Sequence, residues 1–334
     1  MSTAPKAALL LKRSEIAALM TPEDYLVAVE AGFRSYAADG WHIPAPMHIL
    51  AGEGSFHAKG ARIELDREYV AVKLNGNFPG NPRRNGRPTI QGTVLLCDAA
   101  DGSVLAVMDS IEITLGRTAA ASALAARFLA RNDTGCIAIC GCGEQGRAQL
   151  DALRRAMPIK KALVWDLDAE KSRAFARDME TTCGLEVRAV PEVGDATLPS
   201  RVIVTATTSR TPFLTRDIVA KGTFIAAVGA DSPEKSELVP DLMANATVVV
   251  DLLAQCVVMG DLHHAIAAGR MSSADVHAEL GDLVVGRKPG RTDPDEITVF
   301  DSSGTAIQDA ASAAWVYQRA ISARVGSFIE FSER

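Results

Sequence analysis

The chain has 334 residues, 48% of them hydrophobic, and a formal net charge of −6. That length fits two domains with substantial cores. The acidic balance excludes nucleic acid or an anionic membrane as the main partner.

The apolar runs are short and broken by charge or glycine, so none is expected to span a bilayer. The opening MSTAPKAALLLKRSE has no long apolar region before a small-residue cleavage site. Six cysteines in a chain this long do not make a disulfide framework. They read as free thiols, mostly buried, in a reducing and therefore cytoplasmic compartment. Cys140 and Cys142 are spaced C-x-C with no second pair or nearby histidine, and no metal site is expected.

In chain order, residues 8–11 read as a strand and Ser14 as the cap of a short helix. Thr21-Pro22-Glu23-Asp24 is a helix start: a capping hydroxyl, proline in the first turn, then acids. That helix is expected to run to Ala38, with Gly40 as its stop. Between Met47 and Met108 the pattern turns to β. The runs SFHAKGARI, YVAVKLN, TIQGTVLLCD and SVLAVMD read as strands, and GNFPGNPRRNGRP as a loop. Asp109 or Ser110 opens an alanine-rich helix to about residue 130. Strands at 136–140, 162–165, 186–190, 201–205, 223–228 and 247–250 then alternate with mostly helical segments, the signature of a parallel, doubly wound sheet. A last strand, 297–300, and a last helix, about 306–322, follow. The fold class is α/β: a Rossmann-type domain at 119–310, a mixed α+β domain at 1–118, and a C-terminal stretch, 311–334, whose helix returns to the first domain.

One stretch carries chemistry on its own. The strand 136–140 ends in Gly141-x-Gly143-x-x-Gly146, and the next strand ends in Asp166. The first glycine serves the tight turn, the second lets backbone approach a pyrophosphate, and the third lets helix pack on strand. Phosphates then face a helix N-terminus. Asp166 stands where a carboxylate accepts from ribose hydroxyls and repels a 2′-phosphate; no arginine follows it, so the cofactor is read as NAD rather than NADP.

Further motifs are VKLNGNFPGN (72–81), TIQGTVLLCDAADG (89–102), LGRTAAASALAARFLA (115–130), VIVTATTSRTPFL (202–214), AAVGADSPEKSEL (226–238) and VFDSSGTAIQDAA (299–311). With the glycine loop they extend from about Met20 to Ala314, and over that span the chain resembles the ornithine cyclodeaminase/μ-crystallin family. The resemblance implies a substrate-binding, dimerising domain joined to a Rossmann domain. It also implies a homodimer, a small amino or imino acid as substrate, and a function among cyclodeaminases, ketimine and cyclic-imine reductases, alanine dehydrogenases, iminosuccinate reductases or ligand binders. Position by position, it implies Lys73 and Arg117 at the substrate carboxylate, Lys73 also near the reacting nitrogen, and Thr89 lining the site. Asp231 is the implied acid/base. Gly141, Gly143, Glu144, Gln145 and Gly146 form the pyrophosphate loop. Thr205, Ala206, Thr207 and Val228 flank the cofactor. Gly304, Thr305 and Asp309 match the region near the nicotinamide.

The residue types suit the chemistry independently. An iminium accepts hydride readily, a carboxylate can stabilise it and exchange its proton, and an arginine fork binds a carboxylate. Other readings of the same residues are a solvated strand lysine at Lys73, a phosphate contact or structural ion pair at Arg117, and a cap of a SPEKSEL helix at Asp231. The chain also departs from its relatives. His48 stands about where many have an arginine, and His57 stands nearest a glutamate that serves ornithine cyclisation. Lys59 replaces an apolar residue. In a strand, His57 and Lys59 share a face, which suits an anionic group if it lines the site. His263-His264 are adjacent in sequence and make a poor ligand pair. The reading is an NAD(H)-dependent oxidoreductase on the C–N bond of an α-imino or amino acid. The alternatives are an NAD-dependent cyclodeaminase that releases ammonia and a ligand-binding protein with little turnover.

Overall fold

The computed structural model of the chain describes residues 7–39, 41 and 43–330. Gly40, the expected helix stop, lies outside them. The chain forms two compact units, Met1–Arg117 with Ala306–Arg334, and Thr118–Thr305. The strands are β1 Ala8–Leu11, β2 Met47–Ala51, β3 Gly54–Glu64, β4 Glu68–Asn77, β5 Ile90–Asp98 and β6 Val104–Asp109. Then come β7 Cys136–Cys140, β8 Lys161–Trp165, β9 Glu186–Ala189, β10 Val202–Thr205 and β11 Phe224–Ala227. Last are β12 Thr247–Val250, β13 Ala278–Glu279, β14 Thr298–Asp301 and β15 Ser327–Ile329.

The first unit holds a mixed sheet in the order β15-β1-β6-β5-β4-β3-β2. Alternation decides its two faces. In register across the sheet, Ile63 and Ala61 of β3 meet Tyr69 and Ala71 of β4, and these meet Asp98 and Leu96 of β5. This face is the core, with Val94 and Leu96 fully buried. Burying each contributes about 1.5–3 kcal/mol relative to leaving it in water. The helices Pro22–Asp39 and Ala306–Ala323 pack over it. The other face keeps Met47, Ile49, Val72 and Leu74 exposed. The helix Ala306–Ala323 belongs whole to this unit, so the span 119–310 read from sequence ends inside it.

Local sequence explains most boundaries. Thr21 and Asp24 cap each other reciprocally: Asp24 N–H donates to Thr21 Oγ1 and Thr21 N–H to Asp24 Oδ2. Ser14 does not cap the first helix, which runs Arg13–Leu19; the Glu15 carboxylate accepts the Lys12 N–H instead. The segment read as one loop contains a short helix, Asn81–Asn85, with Pro82 in its first turn and Gly86 left-handed at its end. Asp109 accepts the Ile111 N–H and so opens the helix Ser110–Leu129. Gly116 in that helix faces Tyr25, and a Cβ there would sit 2.4 Å from the ring. A larger residue at 116 therefore cannot coexist with Tyr25 as placed.

The second unit is an all-parallel eight-stranded sheet, β13-β12-β14-β11-β10-β7-β8-β9. Its strands are near-continuous Val, Ile and Ala because helices cover both faces of such a sheet. The order reverses between β7 and β10, the position at which open α/β sheets form a crevice at their carboxyl ends. Among the described residues no helix is long and apolar enough to cross a membrane.

Candidate active site

In the second unit the loop after β7 lies at this reversal. Gly141 has φ +108°, and a Cβ there would sit 2.5 Å from the Ala206 carbonyl oxygen. Both the conformation and the space demand glycine. A Cβ at Gly146 would meet the Gly141 oxygen at 2.2 Å, so the helix Glu144–Ala156 starts hard against the turn. Nothing lies within 4 Å of a Cβ at Gly143, the residue that precedes that helix. Close packing at two glycines and open space at the middle one make a cradle over a helix N-terminus. Gln145 Nε2 is buried there with no protein partner. The residues present therefore fit a dinucleotide pyrophosphate.

Asp166 follows β8, and its Oδ2 accepts the Cys142 N–H at 2.8 Å while Oδ1 accepts from Asp168 N–H at 3.0 Å. The carboxylate thus ties the second turn to the glycine loop. Burial, with Asp166 beside it, pushes the Cys142 thiol up to about 12, and Cys140 is pushed up further by burial. Neither is a ready thiolate at neutral pH.

The loops after β10 and β11 are held by a residue that motif reading passed over. Glu237 is fully buried. Its Oε1 accepts from Thr207 N–H and Oγ1, both at 2.6 Å, and its Oε2 accepts from Gly229 N–H at 2.9 Å. A Cβ at Gly229 would lie 2.3 Å from that carboxylate. Val228 N–H bonds the Thr205 carbonyl, and Ala206 N–H bonds the Cys140 carbonyl. Glu237 N–H and Leu238 N–H in turn donate to Asp261. Burial raises Glu237 to about 7 and Asp261 to about 6. Asp251 plays the same part for the last loop: its Oδ2 accepts the Gly304 N–H at 2.7 Å.

Asp231 lies two residues past Gly229, in a turn rather than at a helix, so the capping role does not apply. Its carboxylate is half-exposed and 2.6 Å from Lys235 Nζ. His263 Nδ1 lies 3.2 Å from the Val257 carbonyl and His264 Nε2 lies 2.8 Å from that of Lys235, two separate structural contacts.

The first unit gathers the other candidates on its core face. Lys73, near the middle of β4, is buried, with Nζ 2.8 Å from both oxygens of Asp309 and 3.5 Å from Thr114 Oγ1. Arg117 Nε donates to the same carboxylate at 3.0 Å, and Nη1 donates to Gln308 Oε1 at 2.7 Å. The solvated-lysine reading is thereby excluded. Both Nε and Nη1 of the expected arginine fork are thus engaged within the unit, on Asp309 and Gln308. Burial pushes Lys73 down to about 7, with Asp309 opposing and Arg117 and Lys59 adding to the fall. Burial acts to raise Asp309, but Lys73 and Arg117 outweigh it and hold the carboxyl below its usual range. Asp309 sits in the first turn of its helix, where an anion is also favoured.

The register places His48 opposite His57, Lys59 opposite Lys73, and His57 opposite Asn75, so all of these share the Lys73 face. His57 and Lys59 are half-buried and His48 is exposed. Thr89 stands apart: it precedes β5, its carbonyl accepts the Phe78 N–H, and the residue of β5 facing Lys73 is Val94. Asp309 and Gln308 are partners that sequence matching did not give to Lys73 and Arg117. They lie 236 and 191 residues away in the chain, beyond any spacing rule.

The second unit, with its parallel sheet, reversal point and glycine loop, is a dinucleotide-binding domain of the Rossmann type. The chain belongs to the ornithine cyclodeaminase/mu-crystallin family, a model of which matches residues 6–324. It is 36% identical to an alanine dehydrogenase of Archaeoglobus fulgidus, over 97% of this chain and 98% of the relative. A solved archaeal alanine dehydrogenase dimer with bound NAD superposes with a TM-score of 0.93 at 36% identity, covering 98% of this chain and all of that one. The Δ1-pyrroline-2-carboxylate reductase of Thermococcus litoralis, solved with NADH and L-proline, gives a TM-score of 0.92 at 33% identity. It covers 96% of this chain and 99% of that one.

Proposed function

We propose that the protein is an NAD(H)-dependent oxidoreductase that reduces the imine of an α-oxo acid to an α-amino acid, or runs the reverse. The observation that carries this is a buried lysine and arginine held on one carboxylate, in the same chain as a dinucleotide loop. NAD(H) would supply or accept the hydride; Gly141–Gly146 would hold its pyrophosphate, Asp166 its adenosine side, and Thr205–Thr207, Val228 and Gly304 would flank it. Lys73 and Arg117 hold the substrate carboxylate, with Asp309 fixing both cations in place. Asp231 exchanges the proton at the substrate nitrogen and stabilises the iminium cation. Thr89 belongs to the rim of the substrate domain. The working form is a homodimer joined through the exposed apolar face of the first sheet, where Met47, Ile49, Val72 and Leu74 lie.

The test is NADH consumption with glyoxylate, pyruvate, oxaloacetate or 2-oxoglutarate, each with ammonia or methylamine. Turnover with at least one pair is expected; no oxidation with any pair rules the reading out. Release of ammonia from ornithine or lysine without net NADH formation would assign the cyclodeaminase chemistry instead.

A further inference from the structure

Asn75 stands two residues along β4 from Lys73 and shares its face. One end of its side chain is fixed. Ser110, fully buried at the start of the helix Ser110–Leu129, donates from Oγ to Asn75 Oδ1 at 2.6 Å. Ser110 follows β6, so this bond crosses β5, where Gly92 is the residue opposite Asn75. A Cβ at Gly92 would lie 2.2 Å from Asn75 Oδ1, so the strand carries a glycine where the amide passes. The same helix also supports Lys73. Thr114 Oγ1, one turn after Ser110, lies 3.5 Å from Lys73 Nζ, and Arg117 shares Asp309 with that lysine. Four helical residues rise about 6 Å and two strand residues about 6.6 Å. The supports of the amide and of the ammonium therefore keep step along helix and strand. The Asn75 side chain makes no other hydrogen bond among the described residues, and the residue is half-buried. With Oδ1 turned to Ser110, the Nδ2 end is the one left to donate.

We infer that Asn75 is a specificity-determining residue, whose Nδ2 donates to an oxygen acceptor on the side chain of a substrate held by its α-carboxylate at Lys73 and Arg117. This rests on the proposed C–N oxidoreductase reading and deepens it. The α-carboxylate takes the cations, and the neutral amide further along the strand takes a second acceptor on a short side chain: a hydroxyl, a carbonyl or a carboxylate. An amide donor requires no charge on its partner, so it accepts all three. It disfavours a hydrocarbon side chain, which covers Nδ2 without giving it a bond. Ser110 is a positioning residue, because it decides which end of the amide is presented.

The experiment is calorimetric titration of the NAD-loaded protein with three pairs of similar shape, beside the turnover panel above. The pairs are L-serine with L-2-aminobutyrate, L-homoserine with L-norvaline, and L-aspartate with L-leucine. In at least one pair the oxygen-bearing member is expected to bind about threefold to tenfold more tightly, the size of one hydrogen bond. Asn75→Leu should bring that ratio to one or below. Asn75→Asp keeps an acceptor for Ser110 but removes the donor, so L-aspartate should lose more affinity than L-homoserine, whose hydroxyl can donate in its turn. Ser110→Ala should lower the ratio, and Ser110→Thr should restore it. Three parent pairs in which the hydrocarbon member binds as tightly overturn the inference. So does a ratio that Asn75→Leu leaves unmoved, or a loss in that variant that falls equally on both members of a pair. Any of these results together with turnover in the imine panel leaves the oxidoreductase reading standing. Absence of both amino acid binding and turnover removes that reading and the inference with it.

Discussion

Asp309 is the residue on which the first unit's chemistry turns. It is buried, it is held ionised, and it is the shared anion of two buried cations. Asp309→Asn leaves both cations unpaired in the interior, a change that costs about 3–5 kcal/mol. A fall in thermal midpoint of at least several degrees is expected by calorimetry. The pH dependence has a definite sign. A depressed carboxyl adds stability above its unfolded value of about 3.9, and that stability is lost as pH falls through the folded value. Lys73, pushed down to about 7 by burial, loses its charge as pH rises through that value. Substrate carboxylate affinity should therefore fall above about pH 7. In Asp309→Asn the opposing anion is gone, so the fall should begin at lower pH. Binding curves of a substrate carboxylate at pH 6 to 9 check this, and an alkaline shift in the variant would contradict it.

At the level of elements, the carboxyl ends of β7, β10, β11 and β14 are set by buried acids rather than by the glycine motif alone. Glu237 pins the loops after β10 and β11, and Asp251 pins that after β14. Glu237→Gln places an amide donor against Gly229 or Thr207 N–H, each itself a donor. One unmet buried donor costs about 1–3 kcal/mol. NADH affinity, read by fluorescence titration, should weaken roughly 5- to 100-fold, with the far-ultraviolet dichroism retained. Unchanged affinity would mean that the loops hold without it. The strand pattern and the glycine loop were legible because their periods and spacings are local. The buried partners were not: Glu237 meets Thr207 and Gly229 across two loops, and Asp309 meets Lys73 across most of the chain. The short helix at Asn81–Asn85 was hidden by Pro82 and the surrounding glycines, which read equally well as a turn. Strand β15 was missed because three residues carry no period. The cap at Lys12–Glu15 was missed because Ser14 is the better capping residue by type.

On the scale of the molecule, the first sheet has one face closed by helices and one left open. Val72 and Leu74 stand on the open face, each 41% exposed, with Met47 and Ile49 beyond them. Val72→Glu with Leu74→Glu puts two charges where the proposed dimer buries apolar surface. Light scattering is expected to report a dimer for the parent and a shift to monomer for the pair. A parent that is monomeric across the micromolar range, or a pair that stays dimeric, would remove that face as the interface.

The first sheet also joins the two ends of its own chain. β1 pairs antiparallel with β15, with Ala8 opposite Ile329, and the helix between Ala306 and Ala323 covers the core face. The second unit is thus an insertion within the first. During synthesis residues 118–305 are complete while the sheet of the first unit still lacks an edge strand and a covering helix. The carboxylate that Lys73 needs therefore lies after the whole of the second unit in the chain. Until Asp309 is made, Lys73 and Arg117 lack the anion that both bond in the folded unit.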